Sequence, residues 1–202
     1  MTETEALASR VATPAIDIRR LRIVYGKRPP GTDALKDVTL TVAPGETVGL
    51  LGHNGSGKST LILSIMGLLR PYHGSVQIFG RPADSEEARS QVGLVTERTG
   101  LYEQFTVDEV LRLFRSLYGV KATRIAAVID LFELHTHRAT RIDQLSTGWR
   151  KRVSLACAYL HQPRILLLDE PFSGLDPLAL HDVKSLIRRV QEKDRKSTRL
   201  NS

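Results

Sequence analysis

The stretch GHNGSGKST, residues 52–60, decides the fold because it fits the pattern G-x-x-x-x-G-K-[ST] of a phosphate-binding loop. It lies between the apolar run ETVGLLG and the segment KSTLILSIMGLL. We predict a buried strand for the first and a helix for the second, which is the context that such a loop requires. The three elements together predict an α/β fold.

The residues of this loop are suited to binding a nucleoside triphosphate. Gly55 and Gly57 let backbone N–H groups converge on phosphate oxygens, and Lys58 reaches the β- and γ-phosphates. Ser59 supplies a hydroxyl to Mg²⁺. The expected nucleotide-binding residues of the loop are Gly52, His53, Asn54, Gly55, Ser56, Gly57, Lys58, Ser59 and Thr60.

Patterns on both sides of the loop predict a mixed α/β chain. Upstream, AIDIRRLRIVY and DVTLTV alternate as half-buried antiparallel strands do. Downstream, GSVQIFG and QVGLVT are typical of short strands. The periodicity then becomes helical, and we expect an α-helical subdomain over about residues 98–148.

Two carboxylates follow the apolar strand predicted within RILLLDEP, residues 164–171. Open α/β sheets hold ligands at the carboxyl ends of their parallel strands. Because side chains alternate along a strand, Asp169 and Glu170 can divide the chemistry. We expect Asp169 in the Mg²⁺ shell and Glu170 as the base that orients and deprotonates a water.

The segment LSTGWRKR, residues 145–152, predicts a second anion site. Ser146 and Thr147 are good helix caps, and Gly148 permits a close approach of the backbone. Helix N-termini bind anions, so this one is expected to hold a phosphate. Cys157 lies in the apolar run that follows, and as the single cysteine it is expected to pack in the core.

The motifs GHNGSGKST, LSTGW, RILLLDEP and SGLDP occur in this order, and the chain from about residue 16 to residue 192 resembles the ATP-binding subunits of ABC transporters. The resemblance implies a P-loop NTPase with a RecA-like core, an N-terminal antiparallel β-region and an α-helical subdomain. It also implies binding and hydrolysis of ATP with Mg²⁺. Lys58 and Glu170 would then be the catalytic residues.

The resemblance also implies a partner. Two such subunits pair head to tail, so Ser146, Thr147 and Gly148 would contact the γ-phosphate of ATP bound by the second subunit. Tyr25 matches the aromatic residue that stacks on adenine, although an ordinary tyrosine at a strand edge is the alternative. Asp176, in SGLDP, would lie at the dimer interface.

Two positions depart from the usual family pattern. Glu97 stands where the family usually has glutamine; metal contact is expected there, with a plain surface glutamate as the alternative. The signature reads LSTGW, not LSGGQ, and we expect Trp149 to alter packing and not phosphate contact. The amino-acid sequences of the segments LYEQFTV and LSTGW are similar to those of exporter-type subunits.

The end of the chain is a third departure. After a helix predicted over residues 177–192, residues 194–202 resemble one reading frame of a DNA-sequencing adaptor. They stand where the family has a further strand with its switch histidine, and His181 is too early to replace it. We therefore expect a flexible N-terminus over residues 1–15, an ATPase domain over residues 16–193 that lacks its C-terminal part, and impaired hydrolysis.

Composition limits the partners. No apolar run approaches the roughly 20 residues that span a bilayer, so the chain is expected to be cytosolic or peripheral to a membrane. The resemblance implies that separate membrane subunits form the pore and that this chain lies at the cytoplasmic face of the membrane. The net charge of +7 comes from scattered cations, and no nucleic-acid partner is expected. The alternatives are a non-transport ABC-type ATPase acting on ribosomes or DNA, and another P-loop phosphotransferase.

Overall fold

The computed structural model describes residues 13–26, 31–97 and 99–200, with side chains described up to residue 192. The chain divides into a first unit, residues 1–89, and a second unit, residues 90–202. Most of the predicted flexible N-terminus lies outside the described residues, as do the side chains of the adaptor-like tail.

An antiparallel sheet forms the first unit, in the order β2-β1-β3-β4. Its strands are β1 (Ile16–Tyr25), β2 (Thr32–Val42), β3 (His73–Ile78) and β4 (Arg81–Pro82). The helices of this unit are α1 (Lys58–Ile65) and α2 (Glu86–Arg89). The predictions of two antiparallel strands before the phosphate loop and of a helix after it are confirmed.

The strand predicted for ETVGLLG is wrong. Residues 46–52 form no strand in the first unit, and the side chains of Val48, Leu50 and Leu51 are exposed, Leu51 by 98%. A strand forms only where a neighbouring backbone accepts and donates its hydrogen bonds. The sheet of the first unit pairs its four strands with one another and leaves this apolar run outside the ladder.

The second unit combines a short parallel pair of strands with helices. Strand β5 (Val92–Val95) pairs in parallel with β6 (Ile165–Leu168). Its helices are α3 (Val107–Tyr118), α4 (Thr123–Leu131), α5 (Thr147–Tyr159) and α6 (Pro177–Leu200), with 3₁₀ turns at His135–His137 and Ile142–Gln144. Helices thus occupy the region for which helical periodicity was found, while the division into domains stays a prediction.

Capping residues fix where α3 begins and ends. The Thr106 side chain accepts from the backbone N–H of Glu109, and the Glu109 carboxylate accepts in return from the N–H of Thr106. The hydrogen bonds that the Thr106 N–H and hydroxyl donate to this carboxylate lower the pKa of Glu109. Gly119 ends the helix at φ 64°, a left-handed conformation that suits glycine.

Helix α5 is the central element of the second unit. All its residues from Lys151 to Tyr159 are buried, and it contacts α3, α4, α6 and β5. Cys157 is buried among them, as expected, and burial raises the pKa of its thiol. Helix α6 runs to Leu200, farther than predicted, because no glycine or proline after Pro177 interrupts it.

An ionic network joins α5 to its neighbours. The buried guanidinium of Arg152 donates to Glu133 at 2.8 Å and to Asp182 at 3.5 Å. Arg189 donates to the other carboxylate oxygen of Glu133 at 2.6 Å. Glu133, just after α4, thus connects a cation of α5 with a cation of α6, and its loss would leave Arg152 poorly compensated.

We expect Glu133→Gln to destabilise the protein in a pH-dependent manner. The hydrogen bond from Arg189, and to a smaller extent the one from Arg152, lowers the pKa of Glu133 in the folded state. Because the folded pKa is the lower one, the stabilisation is present above the unfolded value of about 4.3 and is lost as the pH falls through the folded pKa.

Urea denaturation tests this expectation. At neutral pH the variant should lose on the order of 1 kcal/mol of unfolding free energy, a modest figure because the carboxylate is half exposed. The difference between the two proteins should shrink below about pH 4. Glu103→Gln, at an exposed glutamate before α3, is the matched control; an equal loss in both variants would contradict the role of the network.

Candidate functional site

The phosphate loop of the first unit folds around the Lys58 ammonium. Lys58 Nζ donates to the carbonyl oxygens of Gly52 at 2.9 Å and His53 at 3.1 Å. The backbone N–H of Ser56 donates to the same His53 carbonyl at 3.2 Å. The loop therefore closes on itself and holds one positive charge beside its backbone.

The N-terminus of α1 provides hydrogen-bond donors next to that charge. Gly57 is the cap residue, no side chain caps the helix, and no acidic residue occupies its first turn. The first N–H groups of a helix have no intrahelical acceptor. Those of Lys58, Ser59 and Thr60 are aligned with the helix dipole, an arrangement that suits an anion.

Gly57 is required for this geometry. Its φ is 96°, and a Cβ at this position would lie 2.8 Å from both the Ala34 carbonyl oxygen and Leu35 Cδ2. Any larger residue would therefore clash with β2 as well as strain the backbone. The glycine lets the loop turn into α1 directly against the sheet.

Tyr25 lies beside the phosphate loop. It ends β1, the residue is 45% exposed, and its hydroxyl is 3.4 Å from Thr60 Oγ1. An exposed aromatic face next to a phosphate site can stack on a nucleobase. The structure thus brings Tyr25 together with the loop, as the predicted adenine contact requires.

In the second unit, the predicted metal and base residues follow two adjacent strands. Val95 pairs with Leu168, and the N–H of Asp169 donates to the Val95 carbonyl at 2.8 Å. Glu97 therefore follows β5 beside the turn that contains Asp169 and Glu170. Glu170 has φ 47°, a costly conformation for a residue other than glycine, and such strain is found at functional sites.

Lys151 is a site residue that the sequence analysis missed. It is 3% exposed, and Nζ donates to the carbonyl oxygens of Glu97, of Thr96 at 3.5 Å and of Glu170 at 3.5 Å. Burial lowers the pKa of Lys151, while the carboxylates of Glu97, Asp169 and Glu170 act in the opposite direction. The available signal in the sequence was its spacing of four and seven residues from Leu155 and Ala158, which places Lys151 on the same face of the helix as these apolar residues.

The signature segment forms the N-terminus of α5. Ser146 is the cap, and its hydroxyl accepts from the N–H of Trp149 at 3.4 Å. Ser146 and Thr147 are exposed, whereas a Cβ on Gly148 would lie 2.8 Å from Ala179 Cβ in α6. The absence of a side chain at Gly148 thus lets α6 pack closely against the start of α5. The exposed residues before it leave this helix end accessible to an anion.

Two arginines and the Trp149 ring fix this helix end. The Arg150 guanidinium donates to the carbonyls of Ile142, Asp143 and Leu145 at 2.8–3.1 Å. The Trp149 ring centroid lies 4.0 Å from the ring centroid of His137. The guanidinium carbon of Arg152 lies 4.4 Å from the same Trp149 centroid. Trp149 therefore packs against its own chain, in line with the packing role expected for it.

Asp176 has a structural role of its own. Its carboxylate accepts from the N–H groups of Leu178 and Ala179, both at 3.0 Å, and so caps α6. Pro177 follows at the first helical position, where proline is preferred. His181 is exposed on the same helix, as expected of a surface residue.

Protein side chains alone do not form a metal cage here. The part of the chain that the structure describes contains no group of three or more His, Cys, Asp or Glu side chains able to hold a metal ion. Mg²⁺ is commonly bound through one or two carboxylates together with phosphate oxygens and waters, and in the second unit Glu97 and Asp169 supply two carboxylates after adjacent strands. Within the same described ranges, no helix is both long and apolar enough to span a bilayer.

Comparisons with known proteins agree with these motifs. The model of the ABC transporter family matches residues 35–173. Nod factor export ATP-binding protein I of Rhizobium meliloti (strain 1021) is 35% identical over 191 residues, which are 92% of this chain and 56% of that protein. The ABC-type transporter ATP-binding protein EcsA of Bacillus subtilis (strain 168) is 38% identical over 164 residues, 78% of this chain and 65% of that protein.

Two solved structures share the fold. A structure described as the ATP binding subunit of an ABC transporter has a TM-score of 0.76 and 35% identity, with 90% of this chain and 75% of that chain covered. cbiO1 from Clostridium perfringens, part of the complex cbiONQ, has the same TM-score at 26% identity, with the same shares covered. The chain thus spans less than two thirds of the two curated relatives named above. By family match, relatives and fold, it belongs to the ABC transporter family, among the ATP-binding subunits.

Proposed function

We propose that this chain binds ATP with Mg²⁺ and hydrolyses it to power export through separate membrane subunits. The observation that supports this most is the N-terminus of α1, where uncapped N–H groups adjoin the Lys58 ammonium. Donors of this kind match the charge of a triphosphate. Tyr25 beside the loop adds an aromatic face for adenine.

The residues divide the proposed reaction among them. Lys58 stabilises the charge that develops on the transferred phosphoryl group, and Glu170 takes a proton from the attacking water. Mg²⁺, when bound, neutralises phosphate charge. Ser59, Asp169 and Glu97 are proposed as its protein contacts, through one hydroxyl and two carboxylates of the kind that Mg²⁺ prefers.

We further propose a head-to-tail dimer in which each signature binds ATP held by the other subunit. The support is that Ser146 and Thr147 are exposed at the start of α5, where helix N–H groups are available. The arginine contacts behind this helix end keep it rigid, which favours binding of a second molecule's phosphate. Asp176, exposed after Gly174, is proposed to lie at the same interface.

The transport role is proposed from the relatives. The Rhizobium relative is named for export of Nod factor, and cbiO1 belongs to a transporter complex. We propose that this chain likewise associates with membrane subunits at the cytoplasmic face, without nucleic acid. The reduced hydrolysis expected from the sequence stays a prediction.

We expect Lys58→Met to weaken ATP binding. Loss of a charge-assisted contact to phosphate costs about 1.5–3 kcal/mol, which corresponds to roughly 10- to 150-fold in affinity. Titration with a fluorescent ATP analogue measures the change. Lys36→Met, at an exposed lysine on β2, is the matched control, and equal affinity in all three proteins would contradict the assignment of the loop.

Glu170→Gln should separate binding from hydrolysis. The amide keeps the shape of the side chain but cannot accept the proton, so the single-turnover rate should fall by about 10²–10⁴-fold while ATP affinity is retained. Release of labelled phosphate from a protein excess measures this rate even when turnover is slow. A variant that hydrolyses ATP as fast as the unchanged chain would remove Glu170 as the base.

Ser146→Arg tests the proposed dimer. The added cation and bulk should block the signature of one subunit from a phosphate held by the other, whereas the phosphate loop of each monomer is unchanged. ATP-dependent dimerisation, measured by light scattering in the Glu170→Gln background, should be abolished with monomer affinity intact. Ser116→Arg, on an exposed position of α3, should dimerise normally; equal loss of binding and dimerisation in Ser146→Arg would overturn the model.

A further inference from the structure

The Lys151 ammonium is a buried charge at a meeting point of backbone carbonyls. It is 3% exposed, in the second turn of α5, and its three acceptors are the carbonyl oxygens of Thr96, Glu97 and Glu170. Three donors on one ammonium match three acceptors. Burial of a cation is costly unless such contacts satisfy it.

These acceptors lie where the two parallel strands end. Thr96 and Glu97 directly follow β5, and Glu170 follows β6 and Asp169. Lys151 therefore joins the turn with the proposed base to the turn with a proposed metal contact. Both turns belong to the second unit, so one side chain from one helix holds them.

The conformation of Glu170 needs such a contact. A residue other than glycine at φ 47° costs about 1–3 kcal/mol and persists only where its surroundings fix it. The carbonyl of Glu170 accepts from Lys151 Nζ and also from the N–H of Ser173 at 3.1 Å. Removing the ammonium would leave this carbonyl with the local bond from Ser173 alone.

Packing alone does not account for a lysine at this position. The other buried residues of α5 include Val153, Leu155 and Ala156, so an apolar side chain is compatible with the helix. Apolar residues commonly match or exceed buried charges in stability. A buried cation that donates to carbonyls at both strand ends is better explained by what it does there.

We propose that Lys151 is a positioning residue for hydrolysis, which fixes the backbone of Glu97 and Glu170 and thereby the placement of their carboxylates. The proposal rests on the proposed function, in which Glu170 is the base. In this role Lys151 acts through the backbone carbonyls of the two turns. Its loss is therefore expected to lower the rate of hydrolysis and to leave nucleotide binding unchanged.

The test compares Lys151→Met and Lys151→Gln with the unchanged chain. Loss of a supporting contact of this kind costs about 10- to 100-fold in activity, and we expect that loss in the single-turnover rate with an ATP affinity within about twofold. The amide of Ser173 should also exchange with deuterium faster in both variants. Lys151→Arg, which keeps a cation with donors, should recover part of the rate.

Lys121→Met, the same change at an exposed lysine before α4, is the control and should alter none of these measurements. Unchanged hydrolysis with unchanged exchange at Ser173, or equal losses of rate and ATP affinity, would overturn the proposal. Failure of both substitutions to fold would also overturn it, since Lys151 would then be a structural requirement. Absence of ATP binding in the unchanged chain would refute the proposed function, whereas the exchange measurement needs no nucleotide.

Discussion

Both helix ends that we propose as phosphate sites depend on a glycine at which another element comes too close for a side chain. At Gly57 the obstacle is the Ala34 carbonyl of β2, and at Gly148 it is the Ala179 side chain of α6, each 2.8 Å from the position of a Cβ. Close approach places the first turn of each helix against a rigid element. The N–H groups there are thus held in place before any phosphate arrives, which reduces the ordering cost of binding.

Local sequence signals predicted the features that are local in the chain. The loop that contains Gly57 and Lys58, the capped start of α5 at Ser146 and the carboxylates after β6 are each specified by a few neighbouring residues. The strand predicted for ETVGLLG required a partner strand distant in sequence, and an apolar pattern does not reveal whether that partner exists. The apolar pattern alone therefore predicted one strand more than the first unit contains at residues 46–52.

Lys151 was missed for a different physical reason. A lysine is usually exposed, so a basic run such as that at residues 150–152 suggests a solvated surface. Its burial depends on carbonyls contributed by two strand ends, and backbone acceptors leave no trace in the sequence. Arg152 was concealed in the same way, because its partners Glu133 and Asp182 come from segments distant along the chain.

Lys151 and Arg152 together explain why α5 has one defined orientation. Consecutive residues project about 100° apart around a helix, and here Lys151 reaches the strand ends while Arg152 reaches Glu133 and Asp182. The apolar side chains of α5, many of them small, could pack in several rotations, but two buried cations with fixed partners are compatible with only one. In some helical assemblies a buried polar group specifies the register of packing. The rotation of α5 also sets where its N-terminus lies, so these two charges determine the position of Ser146 and Gly148 as well as that of Glu170.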